Sequence, residues 1–408
     1  MSKVAEGLGQ TAQEALALAA GLRDYTTELL RELIAIPSPS GAEGDLARRV
    51  VAECRDLGLP ARLDRCGNVI ATLGAGRLNV VYDAHLDTVG PGDRRAWAHD
   101  PYQGKVAEGV VYGRGASDNK GALAAMLAGL RIASQLELPG RADLRLQLIG
   151  VVEEEVCEGW AIGEAIRHGD LLADFVVLGE CTGLDVARGH RGRAEFEIST
   201  SGTACHGSSP WRGHNAIYDC AAWALALKEL DGRLPADEFL GRASLAVTQV
   251  AAAAGSPNVV PETCRATVDR RTLPGETAAH LSEELQAAGE GLRRTAVRLV
   301  EYEAPSWNGC RKTVPKEFPA WVTAAEHPLV TATAAAVAAV RGEPPRIDKW
   351  EFSTDGVMTA GRLGIPTVGF GPAQERYVHT VDDQVPVDDL VKAAAVYAVL
   401  PLFLAPRV

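Results

Sequence analysis

The sequence lacks several features that define other classes of protein. It has no apolar run approaching the ~20 residues of a membrane span and no basic cluster that could neutralise phosphates. Its 41 lysines and arginines are outnumbered by 53 acidic residues, which gives a net charge of −12. We therefore expect neither nucleic acid nor a membrane as a partner. The N-terminus has no basic cap followed by an apolar segment, which predicts a cytoplasmic protein.

Motifs of cysteine and serine chemistry are also missing. The eight cysteines contain no Cys-x-x-Cys pair, so a zinc ribbon and a thioredoxin-like motif are excluded, and we expect most of the thiols to be reduced core residues. No Gly-x-Ser-x-Gly turn is present, which argues against a serine hydrolase. Cys205, next to His206, is the one cysteine that a nucleophile hypothesis would use, but no recognisable nucleophile motif surrounds it.

What is present indicates two globular domains. The chain has 408 residues, of which 47% are hydrophobic and 23% charged. Strands are predicted at residues 78–84, 144–152 and 175–178, and an Ala- and Leu-rich helix at 121–136. This alternation predicts an α/β domain with a mainly parallel sheet and helices on both faces.

The pattern changes after Gly189. Strands are predicted at residues 194–199, 243–252 and 264–271, and helices at residues 215–230 and 278–288. This arrangement is typical of an α+β domain. Helix, strand and helix then return at residues 328–340, 367–370 and 387–402. We therefore predict a discontinuous α/β domain (residues 1–188 and 302–408) with an inserted α+β domain (residues 189–301).

Candidate metal ligands recur where apolar segments end. His85 ends a predicted strand, and Asp87 lies two residues further on, on the same face. Asp118 follows a glycine-rich turn and precedes a helix, three glutamates at 153–155 follow the next strand, and Glu180 follows the third. Taken singly, these residues have ordinary explanations as a structural histidine, an N-cap or turn aspartate and a solvated acidic run.

Taken together, the residues predict a dinuclear metal centre. His379, in a late loop, adds a second imidazole. Two imidazoles and three carboxylates suit two divalent ions that share one carboxylate. Adjacent glutamates at a strand end would also repel one another unless a cation held them. Zinc is the expected metal, with cobalt or manganese as alternatives.

The order of these motifs resembles that of the M20 metallopeptidase family, which includes acetylornithine deacetylase, succinyl-diaminopimelate desuccinylase and carboxypeptidases of the G2 type. The resemblance spans nearly the whole chain, and residues 318–321, 327–330 and 350–356 are similar to YgeY-like hydrolases. It implies a zinc-aminopeptidase-like catalytic domain with an inserted ferredoxin-like lid and dimerisation domain.

The resemblance also implies which residues bind the ions. The five implied ligands are His85, Asp118, Glu155, Glu180 and His379. One ion would be bound by His85, Asp118 and Glu180. The other would be bound by Asp118, Glu155 and His379, so that Asp118 would bridge the two ions. The peptide between Asp118 and Asn119 corresponds to the family's cis linkage.

Two catalytic roles follow from the same resemblance. Glu154 matches the general base, and Asp87 matches the residue that supports His85. Because three glutamates are adjacent, the base and the ligand could each be assigned one residue earlier or later. The family pattern is an acid followed by Glu-Glu, and it assigns Glu153 as that first acid, Glu154 as the base and Glu155 as the ligand. Asp382 and Asp383 stand where the family usually has Asn-Glu.

Four further residues are implied to act on the substrate or the reaction intermediate: His206, Asn258, Arg271 and Gly371. His206 would reach into a partner subunit's active site and stabilise the oxyanion, which implies a homodimer formed through the lid. Asn258 and Arg271 would bind a substrate carboxylate, and Gly371 lies in the glycine-rich loop before the last histidine. A turn asparagine, a surface arginine and a plain turn are the simpler explanations of these residues.

The implied function is hydrolysis of a peptide or N-acyl amide bond in a small carboxylate-bearing substrate, with metal-activated water and Glu154 as the base. Two alternatives stay open. One is hydrolysis of a ureido, carbamoyl or amino-substituted ring compound, which would release ammonia. The other is a non-catalytic, metal-containing binding protein, although a structural site needs no uncoordinated base.

Overall fold

A computed structural model describes residues 3–292 and 294–405 of the chain. In chain order its helices are α1 (Lys3–Gly21), α2 (Arg23–Ile34), α3 (Gly44–Asp56), α4 (Lys120–Gln135), α5 (Leu138–Arg141), α6 (Trp160–Arg167), α7 (Ala216–Asp231), α8 (Ala278–Ala288), α9 (Pro328–Arg341) and α10 (Val387–Leu404). Among the described residues, no helix is both long enough and apolar enough to span a membrane.

The strands are mostly short and fall into one large sheet, one smaller sheet and several minor pairings. In chain order they are β1 (Ala61–Leu63), β2 (Val69–Leu73), β3 (Leu78–His85), β4 (Lys105–Ala107), β5 (Val110–Tyr112), β6 (Leu144–Val151), β7 (Phe175–Leu178), β8 (Val186–His190), β9 (Gly192–Ser201), β10 (Cys205–His206), β11 (Ala236–Asp237), β12 (Gly241–Arg242), β13 (Ser244–Ala253), β14 (Val259–Val260), β15 (Thr263–Thr272), β16 (Thr295–Leu299), β17 (Glu301–Pro305), β18 (Arg311–Pro315), β19 (Glu317–Phe318), β20 (Trp321–Val322), β21 (Ile347–Trp350), β22 (Thr367–Gly369) and β23 (Gln384–Pro386).

The large sheet has the order β1-β2-β6-β3-β7-β22-β8-β20, and β21 also pairs with β8. Its four central strands, β6, β3, β7 and β22, run parallel. They are almost wholly buried and apolar, as expected of parallel strands covered on both faces. The prediction of a mainly parallel sheet is confirmed for this centre, whereas β1, β2 and β20 pair antiparallel to their neighbours.

The smaller sheet is antiparallel, with the order β13-β15-β9-β16, and β19 also pairs with β9. Helices α7 and α8 cover one of its faces. Along β9 the alternate residues Ala194, Phe196 and Ile198 are buried in a hydrophobic core that is separate from the core of the large sheet. The residues between them, among them Arg193 and Glu195, therefore point to the opposite face.

Predicted element positions agree closely with the structure, and β7 and α8 match residue for residue. Several elements were not predicted, α3 and α6 among them. They also include the hairpin of β17 and β18 and the three-stranded sheet of β4, β5 and β23. Their strands are only three to five residues long, and those of the hairpin are largely exposed and charged, so they carry little apolar periodicity. Near the N-terminus, α1 and α2 meet at Leu22.

Candidate metal centre

The candidate ligands meet at the carboxyl ends of the central parallel strands. His85 is the last residue of β3, Glu155 lies four residues after β6, and Glu180 lies two residues after β7. Asp118 lies just before α4, and His379 lies in the segment between β22 and β23. The fold thus places all five at the sheet edge where α/β proteins usually carry their chemistry.

Asp118 lies between the two histidines. Its Oδ1 is 2.8 Å from His85 Nε2, and its Oδ2 is 3.1 Å from His379 Nε2. Glu180 Oε1 is 3.7 Å from His85 Nε2, and Glu155 Oε2 is 2.9 Å from His379 Nε2. The five residues therefore form two groups that share Asp118, which is the arrangement that the resemblance implies.

The chemistry of this cluster fits divalent cations. One ligand atom from each of His85, Asp118 and Glu155 lies within 4.8 Å of the others. Imidazole nitrogens and carboxylate oxygens are the ordinary ligands of zinc and related metals. Carboxylates outnumber imidazoles here, and most of them are buried, so a cation would relieve their mutual repulsion.

The pKa values record this crowding. Burial raises the pKa of Glu180 to about 8, and burial likewise raises the pKa values of Glu154 and Glu155. Hydrogen bonds to Asp118 and Glu155 raise the pKa of His379 to about 10. Burial acts to raise the pKa of Asp118, but the two histidines outweigh it and hold that pKa below its ordinary value. The centre therefore favours positive charge next to Asp118.

The carboxylate of Asp87 supports the neighbouring glutamates more directly than it supports His85. Its Oδ1 accepts a hydrogen bond from the backbone N–H of Glu154 (3.1 Å). Its Oδ2 accepts hydrogen bonds from the backbone N–H of Glu155 (3.2 Å) and from the hydroxyl of Ser40 (2.7 Å). His85 Nδ1 is 2.8 Å from the backbone oxygen of Asp87 and 3.5 Å from its Oδ1. Because a carbonyl oxygen only accepts, Nδ1 donates, and Nε2 is free to bind a metal.

The three adjacent glutamates have different surroundings. Glu153 is fully buried and forms an ion pair with Lys312 from β18, and its Oε1 accepts a hydrogen bond from Tyr302 Oη (3.1 Å). Glu155 contacts His379. Glu154 Oε1 is buried and has no hydrogen-bond partner among the described residues. The partners of Glu153 are thus Lys312 and Tyr302. This favours the assignment in which Glu154 and Glu155, and not Glu153, face the candidate metal centre.

Asp383 is a positioning residue whose contacts the sequence did not reveal. Its carboxylate accepts hydrogen bonds from the backbone N–H groups of Gly115 (2.7 Å) and Ser117 (2.8 Å), from the Ser117 hydroxyl (2.6 Å) and from Arg114 (3.0 Å). It therefore holds the turn that leads into Asp118. The peptide between Asp118 and Asn119 is cis, as the resemblance implied.

A cavity of about 360 Å³ opens onto the centre. Its lining combines candidate ligands and Glu154 with Glu158, Arg193, Arg271 and Phe352. Arg271 and Arg193 are directly opposite each other on β15 and β9, and Asp269 Oδ1 accepts from Arg271 Nε at 2.8 Å. Arg193 was not singled out from the sequence. The alternation along β9, which places it on the face away from the helices, is the signal that could have indicated it.

Three other predicted substrate residues do not line this cavity. His206 is exposed on β10, and its Nδ1 lies 2.7 Å from Ser208 Oγ. Asn258 is close to His206, since the backbone oxygen of Asn258 accepts the N–H of Gly207 (2.6 Å). Gly371 packs behind Glu180, where an added Cβ would come within 2.3 Å of the Glu180 backbone oxygen. Their roles stay predictions.

Residues 81–402 match the family model described as peptidase family M20/M25/M40. The chain belongs to this family. It is 37% identical to the protein YgeY of Escherichia coli over 385 residues, covering 93% of this chain and 95% of YgeY. It is 30% identical to succinyl-diaminopimelate desuccinylase of Xanthomonas oryzae over 397 residues, covering 92% of this chain and 97% of that enzyme.

The fold agrees with this membership. The chain resembles the M20 family metallo-carboxypeptidase Sso-CP2 of Sulfolobus solfataricus with a TM-score of 0.76 at 19% identity, covering 94% of this chain and 99% of the other. The predicted membership of the M20 family and similarity to YgeY are confirmed. The chain is a metal-dependent hydrolase, and the cluster of His85, Asp118 and Glu155 indicates divalent metal ions.

Proposed function

We propose that this M20 hydrolase cleaves a peptide or N-acyl amide bond in a small substrate that carries a carboxylate. The observation that carries the proposal is the position of Glu154. This glutamate lines the cavity next to the candidate ligands, yet its Oε1 has no hydrogen-bond partner among the described residues. A carboxylate that is not needed as a ligand or in an ion pair is available as a general base.

The two groups around Asp118 would hold two ions. His85 and Glu180 would complete one set and Glu155 and His379 the other, and zinc is proposed because it accepts both imidazole and carboxylate. When bound, such ions lower the pKa of a water molecule and polarise a carbonyl oxygen.

The chain's own residues perform the proton transfers. Glu154 would take the proton of the attacking water and return it to the leaving amine. Asp87 would keep Glu154 in place, because its carboxylate accepts the backbone N–H groups of Glu154 and Glu155. Arg271, which lines the cavity, would bind the substrate carboxylate. The volume of about 360 Å³ suits a small molecule.

The insertion at residues 189–301 is proposed to act as a lid and dimerisation domain. His206 and Asn258 lie on it, outside the cavity lining of their own chain, so a second copy would have to supply them. β13 is an edge strand of ten residues, and an unpaired edge of this kind invites pairing with another chain. The nearby helix α7 exposes the large apolar side chains of Tyr218 and Leu225. We therefore propose a homodimer.

The test is a substrate panel. The metal-free protein would be loaded with zinc, cobalt or manganese and offered N-acyl amino acids, dipeptides and ureido acids, and both new primary amine and free ammonia would be recorded. Amine release that a chelator abolishes is the expected result. Release of ammonia alone would point to ureido or carbamoyl chemistry, and no turnover with metal bound would point to a binding protein; either outcome would overturn the proposal.

A further inference from the structure

Two cysteines from distant parts of the chain meet beside the hairpin of β17 and β18. Cys66 lies in the turn between β1 and β2, and Cys310 lies just before β18, 244 residues further on. Their Sγ atoms are 3.6 Å apart, which is van der Waals contact, and both thiols are free. A disulfide bond therefore needs only a small further approach of one side chain.

The two thiols differ in how they can be reached. Cys310 is half-buried and lines a cavity of about 420 Å³ that β18 helps to form. Cys66 is fully buried. Burial raises the pKa of the Cys66 thiol above its ordinary value, so Cys66 is a poor nucleophile towards reagents in solution. An oxidant therefore reacts first with Cys310, and the contact between the two thiols lets Cys66 react second.

The turns that carry the two cysteines already dock against each other. Trp307 Nε1 donates a hydrogen bond to the backbone oxygen of Gly67 (3.2 Å). Asn308 Nδ2 donates to the backbone oxygen of Arg65 (3.0 Å). The packing is close, since an added Cβ at Gly67 would come within 2.4 Å of the Trp307 ring. Non-covalent contacts thus hold the tip of the hairpin on the α/β domain, and a disulfide would add a covalent link at the same place.

Both turns also connect to the segment that carries the adjacent glutamates. In the first turn, Asn68 Oδ1 accepts a hydrogen bond from the backbone N–H of Val152 at 3.0 Å. On β18, Lys312 forms the ion pair with Glu153. A bond between the cysteines would therefore fix the hairpin, and with it Lys312, against the segment that leads to the candidate metal centre.

We propose that Cys66 and Cys310 are a redox-modification site, at which hydrogen peroxide converts the two thiols to a reversible disulfide that fixes the hairpin to the α/β domain. Cys310 Sγ attacks the O–O bond of the peroxide, which gives a sulfenic acid and releases water. Cys66 Sγ then attacks the sulfenic sulfur, which forms the S–S bond and releases a second water. The two thiols lose two hydrogens and two electrons, and the peroxide gains them. A dithiol reverses the reaction by exchange.

Peptide mapping of the peroxide-treated protein tests the proposal. The remaining thiols would be alkylated in denaturant, and the protein would be digested without a reductant. The expected product is a linked peptide that joins Cys66 to Cys310 and disappears after treatment with dithiothreitol. Cys220 and Cys264 are the matched control, because their thiols also interact but are both buried in the core of the smaller sheet, and they should stay unlinked. No link between Cys66 and Cys310, or equal linkage of the control pair, would overturn the proposal.

Two variants assign the order of the steps. Cys66→Ser removes the second thiol, so the sulfenic acid at Cys310 should accumulate, and its trapping by dimedone should rise roughly 10-fold or more above that in the wild type. Cys310→Ser should leave Cys66 unoxidised, which its alkylation after unfolding would measure. Thermal unfolding would verify that both variants are folded. Equal trapping in Cys66→Ser and the wild type, or oxidation of Cys66 in Cys310→Ser, would contradict the assigned roles.

Amide hydrogen exchange tests the effect on the hairpin. Exchange in residues 301–315 should slow roughly 10-fold or more on oxidation and recover on reduction, because the covalent link restricts detachment of the hairpin. Residues 236–242, which include β11 and β12 and contain no cysteine, are the control and should exchange at an unchanged rate. If residues 301–315 exchange equally fast in the linked and the reduced protein, the disulfide does not fix the hairpin.

Discussion

Lys312 forms an ion pair with Glu153 inside the protein, where both side chains are almost completely buried. Lys312 Nζ also lies 4.0 Å from the centre of the Trp160 ring. The pair fixes the first of three adjacent glutamates away from the candidate metal centre and leaves the next two to face it.

Breaking this pair should destabilise the fold. Lys312→Met leaves the charge of Glu153 buried and unpaired, so the free energy of unfolding should fall by about 3–5 kcal/mol. Urea unfolding of the metal-free protein measures it. The double variant Lys312→Met with Glu153→Met removes both charges and should recover most of the loss; if it is no more stable than the single variant, the ion pair is not the cause.

Replacing the proposed base should separate catalysis from metal binding. Glu154→Gln removes the proton acceptor but none of the five candidate ligands, so kcat should fall by roughly 10²- to 10⁴-fold while the metal content is unchanged. Steady-state kinetics and elemental analysis of the same preparation give both values. A Glu154→Gln protein with near-normal kcat would move the base elsewhere in the cavity.

Asp87 should act on metal affinity through its neighbours. Asp87→Asn places an amide group against backbone N–H groups that now donate to a carboxylate, which disturbs Glu154 and Glu155. We expect zinc affinity, measured by competition with a chelating dye, to fall roughly 10- to 100-fold. Ser40→Ala removes only one hydrogen bond to the same carboxylate and should have a smaller effect. An unchanged affinity in Asp87→Asn would refute this supporting role.

Mixing two inactive variants tests the shared active site. If His206 acts across a dimer, His206→Ala and Glu154→Gln subunits combined in equal amounts should regain up to roughly a quarter of wild-type activity, because half of the dimers are mixed and each has one intact site. The activity of subunits dissociated and reassociated together measures it, with each variant treated alone as the control. No recovery despite subunit exchange would place His206 in its own chain's site.

Much of the candidate metal centre could be predicted from the sequence because its candidate ligands follow apolar strands. His85 ends β3 and Glu180 follows β7, and the carboxyl ends of parallel strands meet at one edge of a sheet. The order of the motifs supplied the remaining assignments.

What the sequence could not give are contacts between distant segments. Lys312 is 159 residues from Glu153, in a hairpin whose short, exposed strands carry little apolar pattern. Arg193 and Glu158 come together only when β9 reaches the cavity, and neither residue belongs to a recognisable motif. The adjacent Arg270 and Arg271 likewise cannot be distinguished in the sequence. Because side chains alternate along β15, Arg270 is buried and Arg271 lines the cavity.

The most direct test of the central claim is the number of ions bound per chain, measured together with activity. Metal-free protein titrated with zinc should bind two ions, and amide hydrolysis should appear as they bind and disappear on chelation. Asp118→Asn, which weakens the residue shared by both groups, should lose most of this binding while remaining folded. Hydrolysis that persists in the metal-free protein, or a wild-type chain that binds no more zinc than Asp118→Asn, would contradict the account.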